Sequence, residues 1–278
     1  MIKKSVQRWK SMLLFLLLAS SLVGQEQFTL LSWNIQNLGK SKDSEEITFM
    51  ANILRNYDIA AIQEVVSGNG GAQAVARLAD ELNRMGSKWD YRISDPTDSP
   101  PYKTERYAFL WKTSKVKLLG RPWLAQDDKS IVDREPYLAK FQVKGKTFII
   151  VNFHSRTHKD DPTEEIQTFY AYPQKLPGYP LIIAGDFNTE TDEAVFKPLF
   201  NNGFSANLYL EKTTLKQKCN GAGEYRYHAI DFMLFQHRYF ENLESGVVDF
   251  VGDCDQLEKA RGISDHLPVW GRYGVLFN

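Results

Sequence analysis

Leu181-Ile182-Ile183-Ala184-Gly185-Asp186-Phe187-Asn188 decides how this chain is read, together with Ile263-Ser264-Asp265-His266-Leu267-Pro268-Val269. Each is an apolar, strand-like stretch carrying side chains able to bind a metal or move a proton. Burying a strand and releasing Asp, Asn and His at its tip is how an α/β enzyme builds an active-site floor. Side chains alternate across a strand, so the Asp-x-Asn spacing predicts Asp186 and Asn188 on the same side of an extended strand. Two oxygen ligands aimed at one point suit a hard cation such as magnesium or calcium.

Outward from these runs, strand-like segments are read at Phe28–Asn34, Ile59–Ile62 (ending in Gln63-Glu64), Trp89–Ser94, Tyr107–Trp111, Val116–Gly120, Tyr137–Val143 and Thr147–Asn152. Further strands are read at Leu181–Ala184, Tyr227–Phe235 and Leu267–Tyr273, and residues 143–147 look like a hairpin turn. Asp43–Asn56 carries Ile47, Met50, Ala51 and Leu54 at helical spacing; Ala72–Met85, Thr163–Gln174 and Glu193–Phe200 are also read as helical. Gly68–Gly71 and the proline-bearing Asp95–Thr104 are read as loops. No repeat or low-complexity linker divides the chain. Many strands, interleaved helices and several hairpins suit two stacked mixed sheets with helices outside, in one domain over residues 25–278. Polar side chains collect at the ends of strands far apart in sequence.

The 278 residues are 43% hydrophobic and 13% aromatic, enough for a sizeable core and too apolar for a disordered chain. Lys3, Lys4, Arg8 and Lys10 precede the apolar run Met12–Leu18 and then small residues to Gly24. That order is a secretory signal peptide over residues 1–24, cut after Ser21 or Gly24, and the run is too short to span a membrane. The expected location is therefore outside the cell or in a periplasm. Removing residues 1–24 leaves 30 Lys plus Arg against 34 Asp plus Glu, a net charge of −4. A nucleic-acid substrate would then be held by a local patch and by bound cations, not by an overall positive field. The two cysteines, Cys219 and Cys254, are read as a disulfide because an exported chain with an even count invites one; two separate thiols are the alternative.

The strand ends supply Asn34, Glu64, Glu105, His154, Asp186, Asn188, Asp231, Asp265 and His266. In order, the chain carries Ser32-Trp33-Asn34-Ile35, Ile62-Gln63-Glu64-Val65, Glu105-Arg106-Tyr107, Arg134-Glu135-Pro136, Asn152-Phe153-His154-Ser155, Gly185-Asp186-Phe187-Asn188, Ile230-Asp231 and Ser264-Asp265-His266. Here the sequence resembles the endonuclease/exonuclease/phosphatase superfamily. Tyr102–Tyr107 and Asp133–Pro136 look specifically like its deoxyribonuclease I branch. The resemblance implies an α+β, four-layer α/β/β/α sandwich and metal-dependent hydrolysis of phosphodiesters, with DNA as the expected substrate. It implies magnesium or manganese at the site.

By resemblance, Glu105 pairs with His154 and Asp231 with His266, each carboxylate fixing its imidazole's tautomer and stabilising the imidazolium. Imidazole titrates near neutrality, so one pair can deprotonate the attacking water and the other protonate the leaving 3′ oxygen. Asn34, Glu64, Asp186, Asn188 and Asp265 are the expected metal ligands. Arg134, Arg106 and Tyr102 are the expected substrate contacts, arginine offering bidentate geometry to phosphate. His158, His228 and His237 match no catalytic position, and the acidic loop Ala125–Asp133 is a candidate for structural calcium.

Two positions depart from the resembled branch. Val66 and Gln36 stand where arginines are expected, so single strands, RNA or another phosphodiester stay open as substrates. The competing readings are a phosphatase or sphingomyelinase-like lipid phosphodiesterase on the same scaffold, and a non-catalytic binding protein. The expected state is a monomer without stable membrane association.

Overall fold

A computed structural model describes residues 26–100 and 102–277. The signal-peptide segment at residues 1–24 lies outside the described residues. Among the described residues, twelve strands form two mixed sheets of six. The first sheet contains β1 (Gln27–Leu38), β2 (Ile59–Val66), β3 (Trp89–Ile93), β4 (Glu105–Lys112), β11 (Phe240–Val247) and β12 (Val269–Val275), in the order β11-β12-β1-β2-β4-β3. The second contains β5 (Val116–Leu124), β6 (Tyr137–Val143), β7 (Lys146–His154), β8 (Leu181–Asp186), β9 (Phe204–Ala206) and β10 (Asp231–Gln236), in the order β5-β6-β7-β8-β10-β9. Each sheet has one parallel pair at its centre, β1 with β2 and β7 with β8.

Central strands such as β7 and β8 read as continuous apolar runs because both of their faces are covered. One face packs between the sheets, where Phe28, Tyr107, Phe141, Phe148 and Tyr273 share a core. The other face of the first sheet is covered by α1 (Ser44–Leu54) and α2 (Asn69–Arg84). Ala74, Val75, Leu78, Ala79 and Leu82 of α2 recur at helical spacing and are all buried there. Asp43 and Glu46 close a reciprocal capping box on α1, which sets where that helix starts. The outer face of the second sheet is covered by short helices α3 (Thr163–Gln167), α4 (Tyr172–Lys175) and α5 (Lys197–Asn201), through Ile166, Tyr172 and Leu199, and by the adjoining 3-10 turns through Phe169 and Phe196. The result is the expected helix/sheet/sheet/helix sandwich.

Several boundaries differ from the reading of the sequence. Gly68–Gly71 is not a loop throughout: α2 begins at Asn69, because Gly71 lets its first turn lie on the end of β2, where a Cβ would sit 1.9 Å from the Val66 carbonyl oxygen. The expected helix Thr163–Gln174 is broken by a 3-10 turn at Thr168–Ala171, and Pro173 starts a new short helix instead of extending the old one. The expected helix Glu193–Phe200 is a 3-10 turn, Ala194–Phe196, followed by α5 with Pro198 in its first turn. The strand read at Tyr227–Phe235 begins only at Asp231. Tyr227 instead bonds to the Thr214 carbonyl, making residues 213–228 a two-stranded arm. Short β9, edge strand β11 and α6 (Leu257–Ile263) were not anticipated.

Cys219 and Cys254 form a disulfide that ties the arm to the start of α6 across 35 residues of sequence. A loop of that size contributes about 4 kcal/mol in the chain-entropy account. No described helix is long and apolar enough to cross a membrane.

Candidate active site

Strand register builds the centre of the site. Asp186 ends β8; its parallel neighbour across β7 is His154 and its antiparallel neighbour across β10 is Asp231. Three titratable groups are thereby set side by side on one sheet edge. Gly185 makes that register possible: a Cβ there would lie 1.8 Å from the Phe153 carbonyl oxygen. The first sheet supplies Asn34 from β1 and Glu64 from β2, and Glu105 opens β4.

The two expected pairs are formed geometrically. His154 Nδ1 lies 3.0 and 3.1 Å from the Glu105 carboxylate oxygens. His266 Nδ1 lies 2.9 and 3.1 Å from those of Asp231. Both rings turn their free Nε2 toward the same atom, Asp186 Oδ2, at 3.6 Å from His154 and 3.7 Å from His266. Asn34 Nδ2 donates to that oxygen at 3.1 Å and to Glu64 Oε1 at 3.0 Å. Asp186 Oδ2 is therefore the meeting point of both sheets and both imidazoles. Burial works against charge on each ring. The facing carboxylates outweigh it, Glu105 for His154 and Asp231 then Asp186 for His266, so both rings stand above the ordinary imidazole range, His266 well above it.

The oxygens here fit a divalent cation. Asn34 Oδ1 is buried and has no hydrogen-bond partner among the described residues. The amide nitrogen faces two carboxylate oxygens, and turning the amide over would group Oδ1 with them. Turned so, Oδ1 would lie about 3.0 Å from Glu64 Oε1 and 3.1 Å from Asp186 Oδ2, and such oxygens are the donors a hard metal ion takes. Glu64 sits at φ 57°, a left-handed conformation rarely seen in a strand and costing on the order of 1–3 kcal/mol. It interrupts the β2–β4 register between Ile62 and Val65 and holds the carboxylate against Asn34 and the Asn37 N–H. A second group of possible ligands, Asp186, Asp231 and His266, has donor atoms within 4.8 Å of one another.

Other expected residues fall at different distances from this centre. Asp265 is held by the Gln36 amide at 3.2 Å, with Arg261 at 3.9 Å. Arg134 is nearly buried, forms an ion pair with Glu105 at 2.8 Å, and donates Nη1 to the Ser155 carbonyl. It lines a cleft of about 290 Å³ with Asn37, Glu64, Val66, Tyr102 and Glu105. A larger cavity of about 630 Å³, between Arg92 and Trp123, contains none of the paired His–carboxylate groups. Tyr102 is fully exposed at the cleft's rim.

Three expectations are corrected. Asn188 does not share a strand face with Asp186: β8 ends at Asp186, and Asn188 turns back at φ 47°. Its N–H donates to Asp186 Oδ1 and its amide points to the Ser155 carbonyl at 3.4 Å. Arg106 is not in the cleft, because its Nε and Nη1 hold the carbonyls of Ser67 and Ser94. The acidic loop before Arg134 is not a ready cation cage: Asp128 is engaged by Tyr172 and Lys175, and Asp133 by Lys103 and Arg156.

The supporting groups carried no signal of their own. Gln63, fully buried, donates to Ser32 and to Asn152, which in turn donates to the Ile62 and Ala108 carbonyls, joining the sheets beneath the site. Thr213 donates to Asp231 Oδ2 at 2.6 Å, fixing the second dyad from the arm. Ser264 receives the His266 N–H and donates to the Asn34 carbonyl. The buried Lys42 ammonium accepts no bond but donates two, to the Gly262 and Ile263 carbonyls, closing α6 just before His266. An ammonium near orphaned C-terminal carbonyls is the charge such a terminus favours.

Two stacked sheets with carboxylates and imidazoles converging at one rim define a class of hydrolytic sandwich. The chain belongs to the endonuclease/exonuclease/phosphatase family, whose profile matches residues 31–266. Among its relatives, a deoxyribonuclease of Thioalkalivibrio sp. (strain K90mix) is 32% identical over 227 residues, covering 72% of this chain and 60% of the relative. Deoxyribonuclease-1 of Ovis aries is 32% identical over 173 residues, covering 57% of this chain and 65% of the relative. The chain thus spans less than two thirds of either relative's length. The fold is also that of an endonuclease/exonuclease/phosphatase from Bacteroides vulgatus, with a TM-score of 0.66 at 16% identity, covering 90% of this chain and 99% of that one.

Proposed function

We propose that this protein is a divalent-metal-dependent endonuclease that hydrolyses phosphodiesters of DNA. One observation carries the reading: two His–carboxylate pairs aim their free Nε2 atoms from two sides at a single buried carboxylate oxygen, with Asn34 and Glu64 beside it. One pair removes the proton of the attacking water and the other protonates the leaving 3′ oxygen, each contributing typically ~10²–10⁴-fold. Asn34, Glu64 and Asp186, with Asp265 nearby, are the residues to hold magnesium or manganese, which when bound neutralises charge gathering on the phosphoryl oxygens. Arg134 fixes Glu105 by its charge and faces the cleft in which the phosphate is placed. The relatives named deoxyribonuclease support DNA over other diesters.

The test is nicking of supercoiled plasmid by the purified protein with magnesium and calcium. Cleavage that stops on chelation and returns on adding magnesium is expected. Intact plasmid with metal present and the protein folded would overturn the reading, and release of phosphocholine from sphingomyelin vesicles alongside would move it to lipid diesters.

Export is part of the same proposal. It is supported by the basic, apolar, small-residue order of residues 1–24 and by the Cys219–Cys254 bridge. Intact mass of the protein recovered from the producing cell's exterior or periplasm should show a start after Ser21 or Gly24 and two fewer hydrogens than the dithiol. A full-length, reduced chain would contradict it.

A further inference from the structure

The arm at residues 213–228 is anchored directly on the second dyad. Thr213 bonds to Asp231, the Leu267 N–H bonds to the Thr213 carbonyl, and Thr214 pairs with His266. Its two strands are zipped by Leu215 with Arg226, and Lys216 with Tyr225. The disulfide pins it near its tip. A segment so fixed cannot hide its side chains by moving away.

What it and the residues just before it present to solvent is unusual for a surface. Tyr209 is 67% exposed, Tyr227 55% and Leu210 42%. Leu210 is held at φ 55°, a costly conformation for a bulky side chain on a surface. Tyr227 lies tilted at 44° against the ring of exposed His228, at 3.7 Å between centroids. Lys216 lies 6.0 Å from the Tyr227 ring, and Lys212 and Lys218 are exposed on the same segment. Across the site, the rim near β2 offers Val66, uncharged, and Gln36, whose amide is taken by Asp265. The arm's side thus carries Lys212, Lys216 and Lys218 beside aromatic faces, with Lys216 also 3.6 Å from Glu224, while Tyr102, Lys103 and Arg134 line the cleft on the other side. A phosphate track interleaved with aromatic rings is the chemistry that holds unpaired bases, since every base has a face to stack and a duplex hides it.

We infer that Tyr209 and Tyr227 form a base-stacking subsite for single-stranded DNA beside the His266–Asp231 pair, so that the enzyme prefers unpaired over duplex substrate. The inference takes from the proposed function only that a scissile phosphate lies at that pair. Binding tests it without turnover: fluorescence anisotropy of a labelled twenty-residue thymidine oligomer (about that length) and of a matched duplex, with the whole mature protein in chelator. The wild type should bind the single strand more tightly. Tyr209→Ala and Tyr227→Ala should each weaken that binding roughly 5- to 150-fold, the range for one stacked base, with duplex binding little changed. Tyr227→Phe, which keeps the ring, should bind like the wild type. No preference for the single strand, or alanine variants that bind it as well as the wild type, would overturn the inference. Hydrolysis of bis(p-nitrophenyl) phosphate, which has no base, separates the two failures. If that diester is cleaved equally by the wild type and both alanine variants while binding is unaltered, the hydrolase stands and the stacking subsite falls; if it is not cleaved but binding follows the tyrosines, the subsite stands and the hydrolase falls.

Discussion

His154→Ala and His266→Ala are each expected to lower plasmid nicking by ~10²–10⁴-fold with little change in folding. The size follows from what each ring does and has no substitute for. Each Nε2 faces Asp186 from its own side, and each Nδ1 is locked by its own carboxylate. Water can occupy the space of a lost ring but is a far weaker acid than imidazolium and a far weaker base than imidazole. The carboxylate partners should cost less, because Glu105→Gln or Asp231→Asn keeps the ring present and loses its orientation and charge support. Double loss of both rings should cost less than the product of the single losses, since groups acting as a unit are non-additive. Near-wild-type nicking by either single variant, measured at saturating magnesium, would remove that ring from the mechanism.

Gly185→Ala is expected to be the most damaging single-atom-scale change in the fold. The added methyl would meet the Phe153 carbonyl at 1.8 Å, and neither side can yield alone, because both atoms belong to the β7–β8 parallel pair. Overpacking typically costs ~1–3 kcal/mol and more where backbone must move. For a chain of this size ~3 kcal/mol lowers Tm by roughly 6–12 °C. The same displacement separates His154 from Asp186, which are register partners, so activity should fall by more than stability alone explains. Thermal unfolding and nicking rates measured below the transition check both parts. A variant with unchanged Tm and rate would show that the strands do not need this close approach.

Asp186 is legible in the sequence because a buried apolar run ends abruptly in it, whereas Glu105 and Asp231 are legible as partners of His154 and His266 only through the family resemblance; Glu105, His154, Asp186 and Asp231 all stand at the first or last residue of a strand. Asn188 was misplaced because period-two reasoning holds only while the strand lasts, and φ turns positive two residues past Asp186. Arg106 was assigned to phosphate from its residue type, yet two carbonyls claim its guanidinium, and only the folded loops bring them within reach. Lys42, Thr213 and the Gln63–Asn152 pair act through contacts 18 to 221 residues apart in sequence, which no local pattern announces. The broken helices near Pro173 and Pro198 show the reverse case: apolar spacing suggested longer helices, and a proline in each reset the boundary.

Under the proposed function, the two dyads divide acid and base work at one phosphodiester. The most direct measurement of that division compares the two His→Ala variants on an oligonucleotide with a bridging 3′ sulfur at the scissile position. Thiolate leaves without protonation, so the variant lacking the general acid should recover most of its lost rate on that substrate. The variant lacking the base should remain as slow as on ordinary DNA. Equal deficits for both variants on both substrates would contradict the division of labour and with it the account of the site.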